Sequence, residues 1–477
     1  MRATTKTKIV PVVLLSLAIM VLPSIEAEQA TLTWEQAISR SLIYHPSVTS
    51  AIKAEEAAQR ALERASAAYA PQLTLSSKPA STGNRQDSAG KYQRYTEGEA
   101  RLTAGLATSV GASGSAALGH TWSQRQHQGR SFLSLAATAS LDPRGRLYSS
   151  TRMALEKARI TAQKAAWDRQ EQAQATALSV LSTFWRLELD AQRLAITRES
   201  RERQADIYAR VLERKRLGLA TDTDVLEAEI EWCQAEVAEQ KAEAEYRTRL
   251  LAFARDLELP SEIALAPSGG FPEHELVDNL DRSALEQAAR EQSLAVRKRS
   301  LDVGYSTLEL QQAKAARWPD IAVSGNYSIP DLSKTDTTVR PWGVFINVEL
   351  PILDGGRRRL SVADREAELQ SAQAAMMRDQ EGTLSTLQQK VTNWEIARRN
   401  VQIARLKLTH AQLEETLKIR QHTSGLVSDS ALRAAHTETL LAAVALQDAV
   451  HAQALSQLEI SAMAGETLTV GGRQLLP

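Results

Sequence analysis

The sequence predicts a mostly helical chain with a smaller β component: long antiparallel coiled-coil helices joined to the strands of a transmembrane β-barrel that several chains must share. Three observations carry this expectation. Apolar and small residues recur every seven positions along two very long helical stretches. The same pattern occurs twice, at one fixed offset. Between the helices lie segments in which apolar and polar residues alternate.

The helices come first. Gly and Pro are sparse, while Ala, Leu, Glu, Gln and Arg are abundant, which favours long helices. Val180, Leu187 and Leu194 are spaced by seven, and an offset of 207 residues carries them onto Leu387, Trp394 and Val401. The same offset carries Gly218 onto Gly425, and Ala228, Ala235 and Ala242 onto Ala435, Ala442 and Ala449. The chain therefore reads as an internal duplication. Each half holds one very long helix, over 152–216 and 357–421, each about 100 Å long at 1.5 Å per residue. Helices of half that length are expected over 33–70, 223–254, 282–317 and 429–464, so two stacked end to end match one long helix. The seam Ala166, Ala173, Val180, Leu187, Leu194 is lean. Small residues bring helices close but bury little area, as suits a thin wall with water on both sides.

The strands lie between a half-length helix and a long one in each half. Pro319 ends a helix, because proline removes a donor and restricts the residue before it. A strand over 321–328, a polar loop over 331–340 and the segment WGVFINVELPI follow. There Val344, Ile346, Val348, Leu350 and Ile352 share one face, and Phe345, Asn347 and Glu349 the other. Apolar outside and polar inside suits a water-filled membrane barrel, although a half-buried strand of a soluble sheet has the same period. The first half matches, with Pro71 before a strand over 72–77 and Leu133, Leu135, Ala137, Ala139 and Leu141 on one face. Asp142-Pro143 and Asp354-Gly355-Gly356 are helix-start signals. The run Arg357-Arg358-Arg359 is a solvated or headgroup-facing helix start. The first strand region is 36 residues longer than the second. Within it 99–110 and 113–124 flank a Gly-Ala turn, an extra hairpin that is either a long extracellular loop or two more barrel strands. Two to four strands per half cannot close a barrel alone, so an oligomer is expected.

Export is expected as well. Arg2, Lys6 and Lys8 precede an apolar run over 9–22 and the small-residue site Ile25-Glu26-Ala27, the pattern of a secretory signal peptide over 1–27. The alternative, a membrane anchor, would need about 20 apolar residues. Cys233 is the only cysteine, so no intrachain disulfide and no N-terminal lipid anchor are expected. No later run is long and apolar enough to span a membrane as a helix. Lys plus Arg and Asp plus Glu balance at 57 each, which gives no reason to expect nucleic acid. There is no Walker loop, nucleophile elbow or metal-spaced His/Cys cluster, and the eight histidines are scattered. No catalytic residue, cofactor or metal is expected.

Six segments stand on this frame: LTWEQAISRSLIYHPSV after the signal peptide, YAPQLTLS and RWPDIAVS at the helix-to-strand junctions, ELPILDGGRRR at the return strand, and the breaks RKRLGLATDTDVLEAE and RQHTSGLVSDSALRAA. By them the chain resembles the TolC family of outer-membrane efflux and secretion channels, over essentially all of its length after the signal peptide. The resemblance implies a homotrimer that pools about four strands per chain into one twelve-strand barrel, a hollow helical cylinder in the periplasm, and no enzyme activity. It divides the chain into a periplasmic helix over 28–70, a first barrel segment over 71–142, and a first helical hairpin over 143–257 with its tip near 218–222. An equatorial segment over 258–280, a helix over 281–318 returning to the barrel and a second barrel segment over 319–354 follow. A second hairpin over 355–464, with its tip near 425–429, and a C-terminal equatorial segment over 465–477 complete it. The partners implied are a periplasmic adaptor protein, an inner-membrane pump of ABC, RND or MFS type, and outer-membrane lipid. The implied function is a passive duct in a tripartite efflux or type I secretion system of a Gram-negative bacterium.

The resemblance places adaptor contacts at the tips, on Gly218, Leu219, Ala220, Thr221, Gly425, Leu426, Val427 and Ser428. Candidate entrance-gating residues are Asp224, His422 and Asp429. This sequence departs from the family's acidic gate, with Ala431 and Ala434 at the second tip, and with Val427 and His422 where gating links would use arginine and tyrosine. The competing account is an exported soluble coiled-coil protein of structural or adhesive kind.

Overall fold

A computed structural model of the chain describes residues 31–86, 92–108, 111–123, 128–141, 150–259, 264–265, 276–277, 279–332, 341–350, 352–466, 468–470 and 473–475. The elements run β1 (Thr31–Leu32), α1 (Trp34–Tyr44), α2 (Pro46–Ala67), β2 (Gln72–Gln86), β3 (Tyr92–Ala107), β4 (Ala112–Ser123), β5 (Gln128–Leu141), α3 (Ser150–Arg216), α4 (Asp222–Asp256) and β6 (Ala264–Leu265). The second half follows as α5 (Arg282–Gln292), α6 (Leu294–Ala315), β7 (Asp320–Ile329), β8 (Trp342–Glu349), α7 (Arg357–Thr423), α8 (Asp429–Ala464), β9 (Thr469–Val470) and β10 (Arg473–Gln474). The signal peptide, Asp142-Pro143, most of the loop over 331–340 and most of the equatorial segment over 258–280 lie outside the described residues.

The duplication is nearly exact in helix length, α4 having 35 residues and α8 36. The two long helices α3 and α7 are each 67 residues. Each carries two shorter helices along its flank: α2 and α4 on α3, α6 and α8 on α7. The expected helix over 33–70 is two helices. Pro46 cannot donate to the helix before it, and His45 stands extended between them, its Nδ1 accepting from the Ser47 amide. The expected helix over 282–317 also breaks, at extended Ser293. Both pairs measure 11 and 22 residues.

The seam residues are buried. Val180, Leu187, Leu194, Leu387, Trp394 and Val401 are all at or below 6% exposure. The largest cluster sits at mid-height, around Phe184, Trp185, Leu187, Phe253, Leu257 and Val450. A smaller one gathers Leu387, Val391, Trp394, Ala289 and Ile460. Local strands girdle this level. β1 pairs with β6, β9 pairs with β10, and Arg40 donates to the Leu257 and Glu258 carbonyls at 2.9 Å each. Ala166 and Ala173 are only half-buried, and there charge links the helices instead. Lys298 on α6 bonds Asp168 and Glu171 on α3 at 2.9 and 2.5 Å, and Arg299 bonds Asp379 on α7 at 2.6 Å. Such partly exposed pairs fix register more than they stabilise.

The strands form one six-stranded antiparallel sheet in the order β2-β3-β4-β5-β7-β8. β2 and β8 are its free edges. The extra hairpin is therefore two central strands of this sheet. β3 and β4 turn at Thr108–Gly111, where the Thr108 amide donates to the Ala112 carbonyl at 2.7 Å and Gly111 holds φ +90.

Candidate functional site: helical tips and sheet faces

The two tips are built alike. Gly218 has φ +73 and Gly425 φ +70, left-handed values that a Cβ disfavours. At the first tip the Gly218 amide donates to Lys215 at 2.9 Å and the Leu219 amide to Arg214 at 2.8 Å. At the second the Gly425 amide donates to His422 and the Leu426 amide to Gln421, both at 2.9 Å. This paired ending satisfies the last carbonyls of the long helix and turns the chain sharply. Leu219 and Leu426 are then left 66% and 76% exposed. A leucine in this position commonly packs back on its own helix; here both point to solvent, with Leu217 beside the first.

The next helix is then restarted by a cap. Thr221 and Asp224 form a reciprocal box: the Asp224 amide donates to Thr221 Oγ1 at 3.2 Å, and the Thr221 amide donates to Asp224 Oδ2 at 2.7 Å. The second of these backbone bonds is the main reason the Asp224 carboxyl lies below the usual carboxylate range. At the second tip Ser428 accepts from the Ala431 amide at 3.3 Å, and Ala431 has no carboxylate to return the bond. Asp224 thus has a helix-starting role that the sequence reading did not give it. Asp429 pairs with Arg433 at 2.9 Å. Among the described residues, no hydrogen bond or ion pair joins Asp224 to His422. Asp222, absent from the sequence-derived candidates, pairs with Lys215 at 2.5 Å and is made more acidic by it. Its signal was the Asp-Thr-Asp run itself. Ala220 and Val427 lie in the turns between these caps.

The sheet presents two chemically distinct faces. Pairing follows the register and paired residues share a face. One face carries Leu73 and Leu75 of β2, Leu102 and Leu106 of β3, Leu118 and Trp122 of β4, Leu133 and Leu135 of β5, Ile321 and Val323 of β7, and Val344, Ile346 and Val348 of β8. The opposite face carries Thr74, Arg101, Thr103, Ser115, Ser134, Thr138, Ser324, Asn326 and Asn347. On it Arg101 Nη2 donates to Ser134 at 3.3 Å and Ser113 meets Thr138 at 3.2 Å. The apolar face is open: Leu75 is 75% exposed and Ile346 68%. Trp122, Tyr327 and Trp342 lie on this face toward the end remote from the helices. At the helix end Asp354 accepts from the Gly356 and Arg358 amides at 2.9 and 3.1 Å and starts α7. Among the described residues no helix is long and apolar enough to cross a membrane, and the apolar surface resides in the strands.

Known proteins share this arrangement. Residues 285–466 match the outer membrane efflux protein family. The chain is 27% identical to the protein CyaE of Bordetella pertussis over 183 residues, and this match spans 38% of the length of that relative and 37% of this chain. Its fold is that of the Campylobacter jejuni CmeC outer membrane channel (TM-score 0.64, 13% identity, 93% of this chain and 87% of that one). The Vibrio cholerae outer membrane protein VceC (TM-score 0.62, 16% identity, 91% and 97%) and a Pseudomonas aeruginosa membrane protein (TM-score 0.62, 17% identity, 91% and 93%) share it too.

Proposed function

We propose that this chain, whose residues 285–466 match the outer membrane efflux protein family, is one subunit of a trimeric outer-membrane channel. Its sheet spans the outer membrane of a Gram-negative bacterium and its helices extend through the periplasm. The duct is passive. It conducts substrate delivered by an inner-membrane pump of ABC, RND or MFS type through a periplasmic adaptor, in a tripartite efflux or type I secretion system. No catalytic step is assigned to it.

The observation that carries this reading is the sheet. One face is apolar and open, the other polar, and both edges are unpaired. A lipid-facing sheet with free edges is viable only when other copies close it, because hydrocarbon offers no partner to backbone donors and acceptors. β2 and β8 run in opposite directions, so β8 of one copy meets β2 of the next as an antiparallel pair. The tips support the adaptor contact. Gly218, Leu219, Ala220 and Thr221 at one, and Gly425, Leu426, Val427 and Ser428 at the other, place two exposed leucines on rigid turns. Asp224, His422 and Asp429 lie close enough in sequence to these turns to line an entrance.

The test is to express the full chain in a Gram-negative host, separate inner from outer membranes, extract in mild detergent and measure mass by light scattering. A trimer from the outer-membrane fraction is expected. A soluble periplasmic monomer would overturn the channel and favour an exported coiled-coil protein.

A further inference from the structure

Among the described residues the hairpin β3–β4 has no counterpart in the second half of the chain. There β7 runs outward after Pro319 and β8 returns before Asp354. In the first half β2 and β5 occupy those two positions, and β3 and β4 lie between them in sequence and in the sheet. We propose that β3 and β4 are wall strands, and that three copies close an eighteen-stranded barrel, six strands from each. The number of copies rests on the trimeric channel reading; the place of the hairpin in the wall does not.

Three observations place the hairpin in the wall whatever the copy number, and a fourth bears on the eighteen-strand count. First, the ladder is continuous. β3 is paired to β2 from Tyr92 to Gly105 and to β4 from Glu97 to Ala107, and β4 is paired to β5 from Ala112 to Ser123. A hairpin folded over the rim would leave β2 to pair with β5, and among the described residues it does not.

Second, the alternation continues through the hairpin without a change of phase. Leu102, Ala104 and Leu106 of β3, and Ala112, Ala116 and Leu118 of β4, fall on the same face as Leu135 and Ile346. Thr103 and Ser115 fall on the polar face. A loop in water has no need of that register, whereas a lipid-facing wall requires it.

Third, the hairpin is packed into the sheet through glycine. The Phe132 ring of β5 lies on Gly119 of β4, and the Trp122 ring of β4 on Gly98 of β3, leaving no room for a Cβ at either glycine. Aromatic cover of a paired glycine is a device of integral sheets. Both glycines face directly across a ladder from the ring that covers them.

Fourth, the circumferences agree. Eighteen strands about 4.8 Å apart and tilted roughly 40° give a perimeter of about 110 Å, against about 75 Å for twelve. Four helix positions per chain give twelve helices in a trimer, and at about 8–10 Å apart they span roughly 100–120 Å. The wider barrel continues the helical cylinder without a step. Its backbone diameter is about 36 Å rather than about 24 Å, so the exit accepts cargo considerably bulkier than a four-strand-per-chain barrel would pass.

The test uses the full chain extracted from outer membranes. Light scattering gives the copy number, and electron cryo-microscopy of the same sample gives the strand count. A trimer with eighteen wall strands is expected. A trimer with twelve wall strands and the hairpin outside them would overturn the inference and leave the channel intact. A species other than a trimer would overturn the eighteen-strand count together with the channel reading. A second measurement does not depend on copy number. In a Cys233→Ser background, Leu118→Cys and Thr103→Cys are labelled with an environment-sensitive dye in lipid nanodiscs. The label at 118 is expected to emit blue-shifted and resist aqueous iodide, while the label at 103 is quenched. Equal quenching at both positions would place the hairpin in water and refute its role in the wall.

Discussion

At the first tip Gly218 holds φ +73 and at the second Gly425 holds φ +70, and each is followed by an exposed leucine. Beyond the leucine the tips part. Thr221 and Asp224 lock the restart of α4 with two reciprocal bonds, and Ser428 starts α8 with one, opposite Ala431. The wider halves diverge the same way. Both have a 67-residue helix and both have an 11- and a 22-residue pair, yet one holds four strands of the sheet and the other two. The duplicated frame is the set of helices and left-handed turns. The divergent parts are the strands and the helix caps at its two ends.

The comparison is broken most completely at the glycines. Proline fixes φ near −65° and lacks the amide that bonds Lys215 or His422. Gly218→Pro and Gly425→Pro are each expected to abolish export while the trimer forms, checked by an export assay beside light scattering. Loss of the trimer in either would show that the turns hold the cylinder together and would remove the tip assignment.

The waist tests whether the halves are equal in energy. Trp185 and Trp394 are 2% and 3% exposed. Trp185 sits in the larger cluster and stacks on His451 with ring centroids 4.6 Å apart. Trp185→Ala is expected to cost about 3–5 kcal/mol, and Trp394→Ala less, measured by denaturant unfolding of the detergent-solubilised protein. Equal costs would mean that the smaller cluster carries as much of the fold.

His451 sharpens the same contrast through pH. Burial pushes its imidazole down to about 4, opposed by Asp448, whereas Trp394 in the smaller cluster carries the Arg398 guanidinium over its ring. A depressed histidine pKa means that the unfolded chain takes a proton that the folded one refuses. Its contribution is therefore complete above about pH 6.5 and is lost as pH falls toward 4, by up to about 3 kcal/mol per chain. His451→Phe keeps the ring stack and should flatten stability over that window. A dependence unchanged in the variant would assign it to other groups.

The smallest effect separates the caps. Thr221→Ala combined with Asp224→Ala removes both bonds of the box and is expected to cost about 1 kcal/mol, and Ser428→Ala somewhat less, since one bond is lost instead of two. Amide hydrogen exchange in the first turns of α4 and α8 reads each locally. Equal increases in exchange would show that the Asp224 carboxylate adds nothing to the first cap.

Much of this was legible in the sequence because it is local or periodic. The seven-residue seam named Val180, Leu187, Leu387 and Trp394, which are all buried. The Gly-Leu breaks named both turns, since only a residue without a Cβ enters a left-handed end at no cost. Alternation named the apolar face of β5 and β8. Other features needed long-range pairing. Asp224 is a local exception: it read as a gating candidate, although the Thr221-x-x-Asp224 spacing is the sequence signature of a capping box. The break at Ser293 has no proline to announce it. It turns α5 so that Ala289 can pack with Trp394 and Ile460.

The hairpin marks the boundary most clearly. By itself the sequence determined the helices, their duplication, the two turns and which residues of each strand share a face, because sterics and side-chain period act between neighbours in the chain. It left open whether residues 99–124 formed a loop or a wall. Only the tertiary structure shows β3 and β4 as central strands of the sheet, since β2 meets β3, and β5 meets β7, through ladders that close over stretches of chain whose ends no local preference can bring together.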